Sequence, residues 1–240
     1  MTPLFRALSL LSTVVMLGAC AHRAAPESQG EASPHMHEEH HRAHVSPVMP
    51  HRFEDAEEWA KRFDEPGRDA WQKPDEVVKA LGLSADAKVA DIGSGTGYFA
   101  VRLARAVPQG RVYGVDIEPD MARYLGERAR REGLSNLEAV LASPDDAKLP
   151  EPVDVALIVD TYHHLGDRVA YLKRLGEKLT PGGRVAIVDF RVDSEKGPPA
   201  KHKLSPERVG EELRAAGFVP VQSHDFLPDQ YFLVFQRQTP

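Results

Sequence analysis

The fold of this 240-residue chain follows from one stretch, Val89-Ala90-Asp91-Ile92-Gly93-Ser94-Gly95-Thr96-Gly97-Tyr98-Phe99. An apolar run typical of a buried strand leads into three glycines at alternate positions, and the pattern then becomes helical. Glycine lets the backbone turn sharply and approach a ligand closely, and the start of the following helix offers free backbone N–H groups. The stretch therefore predicts a strand–loop–helix unit that binds a small ligand.

Outward from this stretch, short apolar and β-branched runs alternate with amphipathic segments of helical period. The runs are KVADI at 88–92, RVYGVD at 111–116, LEAVL at 137–141, VDVALIVD at 153–160, RVAIVDF at 184–190, FVPVQSHDF at 218–226 and QYFLVFQRQ at 230–238. Continuously apolar strands are buried on both faces, which indicates a parallel sheet covered by helices. We predict an α/β fold, a doubly wound sheet of about seven mostly parallel strands with helices on both faces and an antiparallel last pair.

Composition excludes several functions. Thirty Lys and Arg against 36 Asp and Glu give a net charge of −6, which argues against a dedicated nucleic-acid binder because such a protein needs a basic surface. The only cysteine, Cys20, excludes an internal disulfide framework and all-cysteine zinc sites. We predict no metal site in the folded part.

The first 20 residues have the form of a signal peptide. Arg6 precedes an uncharged run from Ala7 to Ala19, which is too short to span a bilayer stably. The run ends in Leu17-Gly18-Ala19-Cys20, which resembles the lipobox of bacterial lipoproteins, whose cysteine is lipidated. The resemblance implies a membrane anchor at Cys20 and a place in the cell envelope, on the periplasmic or outer side. A buried N-terminal helix with an incidental cysteine is the alternative.

Residues 21–50 are rich in Pro, Ser, Glu, Ala and His and contain few large apolar side chains. Such a segment cannot bury enough surface to offset its ordering entropy, so we predict a disordered tether. Six histidines fall between His35 and His51. Clustered imidazoles can bind Zn, Cu or Ni, although a polar, pH-responsive linker explains the segment as well. Residues 51–240 are the predicted folded domain, with an N-terminal helical lid over 53–82 that carries Trp59, Phe63, Trp71 and Gln72.

Two kinds of glycine loop compete for the central stretch. A dinucleotide-binding loop has the pattern G-x-G-x-x-G/A, but the sixth position counted from Gly93 is Tyr98. The sequence D-I-G-S-G-T-G-Y-F over 91–99 instead resembles the first motif of class I S-adenosylmethionine-dependent methyltransferases. The resemblance runs from about Asp75 to Phe235 and implies a Rossmann-like methyltransferase fold with strand order 3-2-1-4-5-7-6. It also implies S-adenosyl-L-methionine as cofactor. A nucleotide-binding α/β domain of another kind is the alternative.

The resemblance also assigns cofactor contacts. Asp91 suits the ammonium of the cofactor's methionyl end. Asp116, 25 residues later at the end of the next strand, suits the two ribose hydroxyls, and Ile117 suits the adenine face. In the family an aspartate after the third strand commonly faces the adenine amine; here the segment Ser143-Pro144-Asp145-Asp146-Ala147 has serine at the first such position, so one of its aspartates is expected to replace it. The predicted cofactor contacts are Asp91, Gly93, Ser94, Gly95, Thr96, Gly97, Asp116, Ile117, Asp145 and Asp146.

Candidate catalytic residues follow the fourth and fifth strands, because ligands of open α/β sheets lie beyond the carboxyl ends of the strands. The fourth strand runs into D-T-Y-H-H-L over 160–165. A histidine, with an ordinary pKa near ~6.5, suits a general base, so we predict His163 or His164 as base, with Asp160 or Tyr162 as an alternative. Packing or cofactor contact is the competing role for both histidines. Asp189 and Arg191, after the fifth strand, fit a structural ion pair as well as substrate contact.

Together these features predict S-adenosylmethionine-dependent methyl transfer to a small-molecule acceptor by a membrane-anchored lipoprotein. The pattern S-P-E-R…L-R-A-A-G-F over 205–218 resembles the small-molecule branch of the family. The alternatives are a catalytically silent ligand-binding lipoprotein that keeps the fold, and a metal-binding protein that acts through the His-rich tether. S-adenosylmethionine is made in the cytoplasm, so an exported domain needs a supply of it. Translation from Met49 would instead give a cytoplasmic form.

Overall fold

The computed structural model describes residues 55–238. The predicted signal peptide with Cys20, the His-rich tether and the first residues of the predicted lid lie outside the described residues. Within residues 55–238, no helix is both long and apolar enough to cross a membrane.

One sheet of seven strands occupies the centre of the described chain. The strands are β1 (Lys88–Ile92), β2 (Arg111–Asp116), β3 (Leu137–Leu141), β4 (Val153–Val159), β5 (Leu179–Phe190), β6 (Phe218–His224) and β7 (Gln230–Arg237). Their order across the sheet is β3-β2-β1-β4-β5-β7-β6. The first five strands are parallel, and β7 runs antiparallel to both β5 and β6. The predicted fold class and strand order are confirmed.

Seven α-helices connect or precede the strands within the described residues. They are α1 (Ala56–Phe63), α2 (Arg68–Gln72), α3 (Pro74–Ala80), α4 (Ala100–Ala106), α5 (Pro119–Arg131), α6 (Arg168–Glu177) and α7 (Pro206–Ala215). Three of them begin with proline, whose fixed φ and missing N–H suit the first helical position. The hydroxyl of Ser205 caps α7 by accepting from the backbone N–H of Arg208 at 3.3 Å. The five-residue α2 was not predicted.

Successive strand residues enter two separate cores, one on each face of the sheet. Val89 of β1 and Leu157 of β4 pack with α3, α4 and α5 on one face. Ala90 and Ile158, their chain neighbours, pack with α6 and α7 on the other. Because both faces are covered, the parallel strands are apolar throughout rather than alternating.

The start of β5 differs from the sequence-based expectation. The apolar run at 184–190 predicts a strand that starts at Arg184, but β5 begins earlier, at Leu179, and includes Pro181-Gly182-Gly183. Val153 pairs with Leu179 and Val155 with Arg184, so the residues between these pairs form a bulge inside the strand. A bulge tolerates glycine and proline because its extra residues leave the hydrogen-bond ladder.

A buried ion pair joins α6 to α7 on the second face. Arg168 donates two hydrogen bonds to Glu212, from Nε to Oε2 at 2.7 Å and from Nη2 to Oε1 at 2.9 Å. The hydroxyl of fully buried Tyr162 also donates to Glu212, at 2.8 Å. Because Tyr162 immediately precedes His163, this network fixes the short 3₁₀ turn Tyr162–His164 after β4.

Replacement of Glu212 by alanine is expected to lower the free energy of unfolding by about 3–5 kcal/mol, since it leaves a buried guanidinium without its counter-ion. Urea unfolding of the full chain, followed by circular dichroism, measures this loss. The control is Glu58→Ala on α1, which removes an exposed ion pair with Lys61 and is expected to leave stability unchanged. Equal effects of the two substitutions would contradict the role given to Glu212.

Candidate active site

The glycine loop joins β1 to α4 at the carboxyl edge of the sheet. Gly93, Gly95 and Gly97 have φ angles of 72°, 52° and 93°, a region that side-chain-bearing residues rarely adopt. A Cβ at Gly93 would lie 2.2 Å from Oγ1 of Thr161. The loop therefore packs directly against the segment after β4, and only glycine permits that approach.

Asp91 is the penultimate residue of β1, two positions before this loop, and is only 3% exposed. Its Oδ2 atom, like Oγ of Ser94, is buried and has no hydrogen-bond partner among residues 55–238. Burial raises the pKa of the Asp91 carboxyl to about 7, although the backbone N–H of Ala100 favours the ionised form. Unpartnered buried polar atoms are rare in folded proteins, so these two atoms fit a site whose polar partner is a ligand.

Asp116, at the end of β2, is tied directly to the glycine loop. Its Oδ2 accepts from the backbone N–H of Gly95 at 2.8 Å, and its Oδ1 accepts from that of Glu118 at 3.0 Å. Burial raises the pKa of this carboxyl. Ile117, the next residue, is 50% exposed and offers an apolar surface beside the loop. The structure thus brings Asp91, Asp116 and the glycines together.

The two aspartates predicted to face adenine lie in a tight turn after β3. The hydroxyl of Ser143 donates to Asp145 at 3.0 Å, and Asp146 accepts from the backbone N–H of Lys148 at 2.8 Å. Asp145 is mostly exposed and faces Arg174. No contact within the described residues joins either aspartate to the glycine loop, and their role toward adenine stays a prediction.

His163 and Asp189 form a buried pair at the ends of β4 and β5. Nδ1 of His163 lies 2.9 Å from both carboxylate oxygens of Asp189, and the two side chains are 3% and 4% exposed. The carboxylate can only accept, so in the neutral imidazole Nδ1 carries the proton and Nε2 keeps a free lone pair. His164 lies against the ring of His163, with centroids 4.2 Å apart. Of the two histidines, His163 is therefore the stronger candidate for the general base.

Asp160 has both carboxylate oxygens engaged. Nε2 of Gln72, from α2, donates to Oδ2 at 2.8 Å, and Nε2 of Gln230, from β7, donates to Oδ1. Burial raises the pKa of Asp160 to about 6, and the charge of Arg68 opposes that rise. The residue also has a φ of 53°, a strained conformation for aspartate. These contacts make Asp160 an anchor between the N-terminal helices and the sheet.

Aromatic residues of the predicted lid lie at this same edge. Trp59 and Phe63 of α1 contact each other, with ring centroids 5.3 Å apart. The Phe63 ring lies 3.4 Å from where a Cβ on Gly95 would be. Trp71 of α2 packs on Phe190 at the end of β5, with centroids 5.8 Å apart. The N-terminal helices therefore cover both the glycine loop and the end of β5.

Tyr231 is a site residue that the sequence did not indicate. It lies opposite Asp189 in the β5–β7 pairing, and its buried hydroxyl has no hydrogen-bond partner among the described residues. Burial raises the pKa of this phenol above its ordinary range, so the hydroxyl keeps its proton and can donate. The sequence did not single out Tyr231 because it lies within the apolar run of β7, where an aromatic residue is expected in the core.

Comparison with known proteins decides the family. The profile of a methyltransferase domain family matches residues 83–218, more than half of the chain. The chain belongs to this methyltransferase family. The predicted membership of the S-adenosylmethionine-dependent methyltransferases, and with it the predicted cofactor, is confirmed.

Two curated relatives are antibiotic methyltransferases. Erythromycin 3''-O-methyltransferase of Saccharopolyspora erythraea is 30% identical over 172 residues, which cover 61% of this chain and 55% of that protein. The 27-O-demethylrifamycin SV methyltransferase of Amycolatopsis mediterranei is 31% identical over 170 residues, which cover 63% and 61%. The present chain thus matches less than two thirds of the length of each of these relatives.

Solved structures agree with the family. An S-adenosylmethionine-dependent methyltransferase from Aquifex aeolicus is 28% identical, with a TM-score of 0.70 over 76% of this chain and 98% of that one. The cyclase SpnF, with a TM-score of 0.60 over 71% of this chain and 82% of its own, is only 18% identical and shows the fold alone. A protein named as a cyclase therefore shares this fold, so the reaction has to be argued from the site.

The residues at the glycine loop fit the cofactor. The unpartnered Asp91 and Ser94 atoms supply a carboxylate and a hydroxyl for an amino-acid end that carries an ammonium. The side-chain-free glycines leave room beside them, and Asp116 and Ile117 offer a carboxylate and an exposed apolar side chain next to the same loop.

Asp91 is expected to make the stability of the ligand-free chain fall as pH rises. Its pKa is about 7 in the folded chain against an ordinary 3.8, so between these values the folded state holds a proton that the unfolded state releases. The stability from this group is therefore full below about pH 4 and is lost as pH rises through about 7. As the pH increases from 5 to 7.5, the free energy of unfolding of Asp91→Asn should therefore rise relative to that of wild type. Each unit by which the fold shifts the pKa of Asp91 corresponds to about 1.4 kcal/mol.

Urea unfolding at the two pH values measures this difference, with the exposed Asp225→Asn as the matched surface control. Parallel pH dependences of wild type and Asp91→Asn would show that the carboxyl is not held protonated in the fold.

Proposed function

We propose that this methyltransferase transfers a methyl group from S-adenosylmethionine to a protic group on a small molecule, with His163 as general base. The observation that carries the proposal is the buried His163–Asp189 pair, with Nδ1 2.9 Å from the carboxylate, at the edge that also holds the glycine loop. This pairing leaves one imidazole nitrogen able to accept a proton. Alignment and proton removal are what a protein contributes to methyl transfer onto a protic acceptor.

S-adenosylmethionine, when bound, supplies a methyl group activated by the positive charge on sulfur. Asp91 would hold the ammonium of its methionyl end, Asp116 the ribose hydroxyls and Ile117 one face of the adenine. The N-terminal helices, whose Phe63 and Gln72 contact Gly95 and Asp160, exclude water from this edge.

At the acceptor, His163 would take the proton of the reacting hydroxyl or amine on Nε2. Asp189 keeps the imidazole in the required tautomer and stabilises its protonated form. The Tyr231 hydroxyl, buried and unpartnered on the strand beside Asp189, is available to hold a second polar atom of the acceptor. Asp160, whose two oxygens are occupied by protein donors, would stay a positioning residue.

A small molecule as acceptor is supported by two observations. The two antibiotic methyltransferases that resemble this chain are named for acceptors that are small natural products, an erythromycin and a rifamycin. The net charge of −6 disfavours nucleic acid as a partner. A protein acceptor is the second candidate, because a protein-L-isoaspartate O-methyltransferase of Aeropyrum pernix is 35% identical over 115 residues.

Transfer of a radioactive methyl group tests the proposal. The full chain is incubated with methyl-labelled S-adenosylmethionine and a cell extract that is separated by size into small molecules, protein and nucleic acid. We expect label in the small-molecule fraction. Label confined to protein would favour the second candidate, and bound cofactor without any transfer would indicate a ligand-binding protein that keeps the fold.

His163→Ala and Asp189→Asn are each expected to slow label transfer by roughly 10²–10⁴-fold, the usual contribution of a general base. Binding of S-adenosylmethionine should stay within about twofold of wild type, since neither residue is assigned a cofactor contact. Asp193→Asn, an exposed acid that pairs with Arg191 beyond the same strand, is the control and should transfer at the wild-type rate. Full activity of His163→Ala would refute its role as base.

We also propose that the chain is a lipoprotein of the bacterial envelope, anchored through Cys20 and held on the tether of residues 21–50. The lipobox-like sequence before the only cysteine supports this. Intact-mass analysis of the native protein tests it: an acylated Cys20 is expected, whereas an N-terminus at Met49 or the next residue would indicate a cytoplasmic form. A metal-binding role of the His-rich tether is a separate proposal, which metal titration of the full chain would test.

A further inference from the structure

The helices α1 and α2 add little to the hydrophobic core of the domain. Neither of the two apolar cores includes a residue of the range 55–73, and within this range only Ala56 and Gln72 are buried. The next helix, α3, differs, because its Val77 and Val78 enter the core that lies under α4 and α5. Since apolar burial is the dominant favourable term in folding, α1 and α2 are attached to the domain more weakly than α3 is.

Opposite charges join these two helices to the domain. Three acids of the range 57–69 each pair with an arginine of α4 or α5. The pairs, with their nitrogen–oxygen distances, are Glu57–Arg123 at 2.9 Å, Asp64–Arg128 at 2.9 Å and Asp69–Arg102 at 3.0 Å. We call these three pairs the latch. All six side chains are between 16% and 59% exposed, so dissolved ions reach and screen each pair.

The other contacts of α1 and α2 with the domain include several at the candidate active site itself. The ring of Phe63 lies against Gly95 of the glycine loop, and Trp71 packs on Phe190 at the end of β5. Gln72 donates to Asp160 at 2.8 Å. The two helices therefore close the site directly, and they do so without joining either apolar core.

The groups beneath this cover are closed to an acceptor. The side chains of His163 and Asp189 are only 3% and 4% exposed. The proposed reaction needs an acceptor atom at Nε2 of His163, so part of the cover has to move before the acceptor can enter. The segment after β5 packs on the second core through Leu204, whereas residues 55–73 pack on neither core. The N-terminal helices are therefore the part of the cover that opens most readily.

A hinge separates α2 from α3. Lys73 lies between the two helices with φ of 44° and ψ of 57°, in the left-handed region that a residue with a side chain rarely adopts. Pro74 follows as the first residue of α3 and has no backbone N–H to donate. The hydrogen-bond ladder of α2 therefore stops at this point, and a change in the backbone angles of Lys73 would swing α1 and α2 while α3 stays in the core.

We propose that residues 55–72 form a hinged flap that the latch holds shut, so that the salt concentration sets how often the site opens. This inference rests on the proposed function in one respect, the need of the acceptor to reach His163. It adds a control that the chemistry of the site does not contain, because the latch residues lie on the outer surface of the flap, α4 and α5.

Hydrogen–deuterium exchange of the full chain tests the flap. The exchange is followed by mass spectrometry at about 0.01 M and 1 M KCl, which changes the screening length from about 30 Å to about 3 Å. We expect amides of residues 56–72 to exchange about tenfold faster at the higher concentration, because three exposed pairs weaken together. Amides of α3 should change little, since its attachment is apolar, and they serve as the internal control.

Two neighbouring glutamates of α1 provide matched variants. Glu57→Gln removes one pair of the latch and is expected to speed exchange over residues 56–72 at least about twofold at the lower KCl concentration. Glu58→Gln removes an equally exposed charge whose partner, Lys61, lies within α1, and should leave that exchange unchanged. The triple variant Glu57→Gln, Asp64→Asn, Asp69→Asn lacks the latch and should exchange quickly at both KCl concentrations.

Tryptophan fluorescence gives a second readout of the flap. Both tryptophans of the chain, Trp59 and Trp71, lie within residues 55–72. Quenching by acrylamide, which is uncharged, should increase with KCl in the wild-type chain as the flap opens. In the triple variant the quenching should be high throughout and should not respond to KCl.

An exchange rate over residues 56–72 that does not respond to KCl, or that rises by the same factor in α3, would overturn the flap. Equal exchange in Glu57→Gln and Glu58→Gln would overturn the latch. None of these results touches the proposed methyl transfer, which label transfer measures separately. A flap that opens as expected in a chain that transfers no methyl group would instead refute the proposed function and leave the flap standing.

Discussion

The close approach between the glycine loop and the segment after β4 sets the geometry of the whole site. A Cβ on Gly93 would lie 2.2 Å from the Thr161 hydroxyl oxygen, so the two strand ends can come this near only without a side chain there. Their proximity places Asp91 in the same edge as Asp160 and His163. The hydrogen bond from the Gly95 N–H to Asp116 at 2.8 Å then fixes the next strand end to the same loop.

This arrangement places two aspartates that are costly to the fold at the same edge of the sheet. Asp91 is buried with an unpartnered oxygen, and Asp160 is held in a left-handed conformation with φ of 53°. Such local costs persist in proteins where a function needs them. A ligand with a sulfonium and an ammonium would stabilise the ionised form of these buried carboxyls, and the charge of Arg68 already opposes the burial-driven rise in the pKa of both. The N-terminal helices are therefore part of the electrostatics of the site as well as its cover.

The sequence was sufficient for those features that depend on local pattern. Apolar runs predicted the strands, and the glycine loop predicted the edge of the sheet at which the structure brings Asp91 and Asp116 together. The contacts that refine the site join distant segments: Gln72 reaches Asp160 across 88 positions, and Tyr231 faces Asp189 only through strand pairing. Neither partner carries a local signal, and α2 is too short for periodicity to reveal. The bulge in β5 was likewise not predicted, because the sequence Pro-Gly-Gly is typical of loops.

The central proposal is that the glycine loop and Asp116 together hold S-adenosylmethionine. Calorimetric titration of S-adenosylhomocysteine into the full chain and into Asp116→Ala tests it most directly. We expect one molecule bound per wild-type chain with a dissociation constant near 1 μM, about −8 kcal/mol, and loss of that binding in the variant. A wild-type chain that shows no binding at millimolar ligand, or a variant that binds as tightly as wild type, would contradict it.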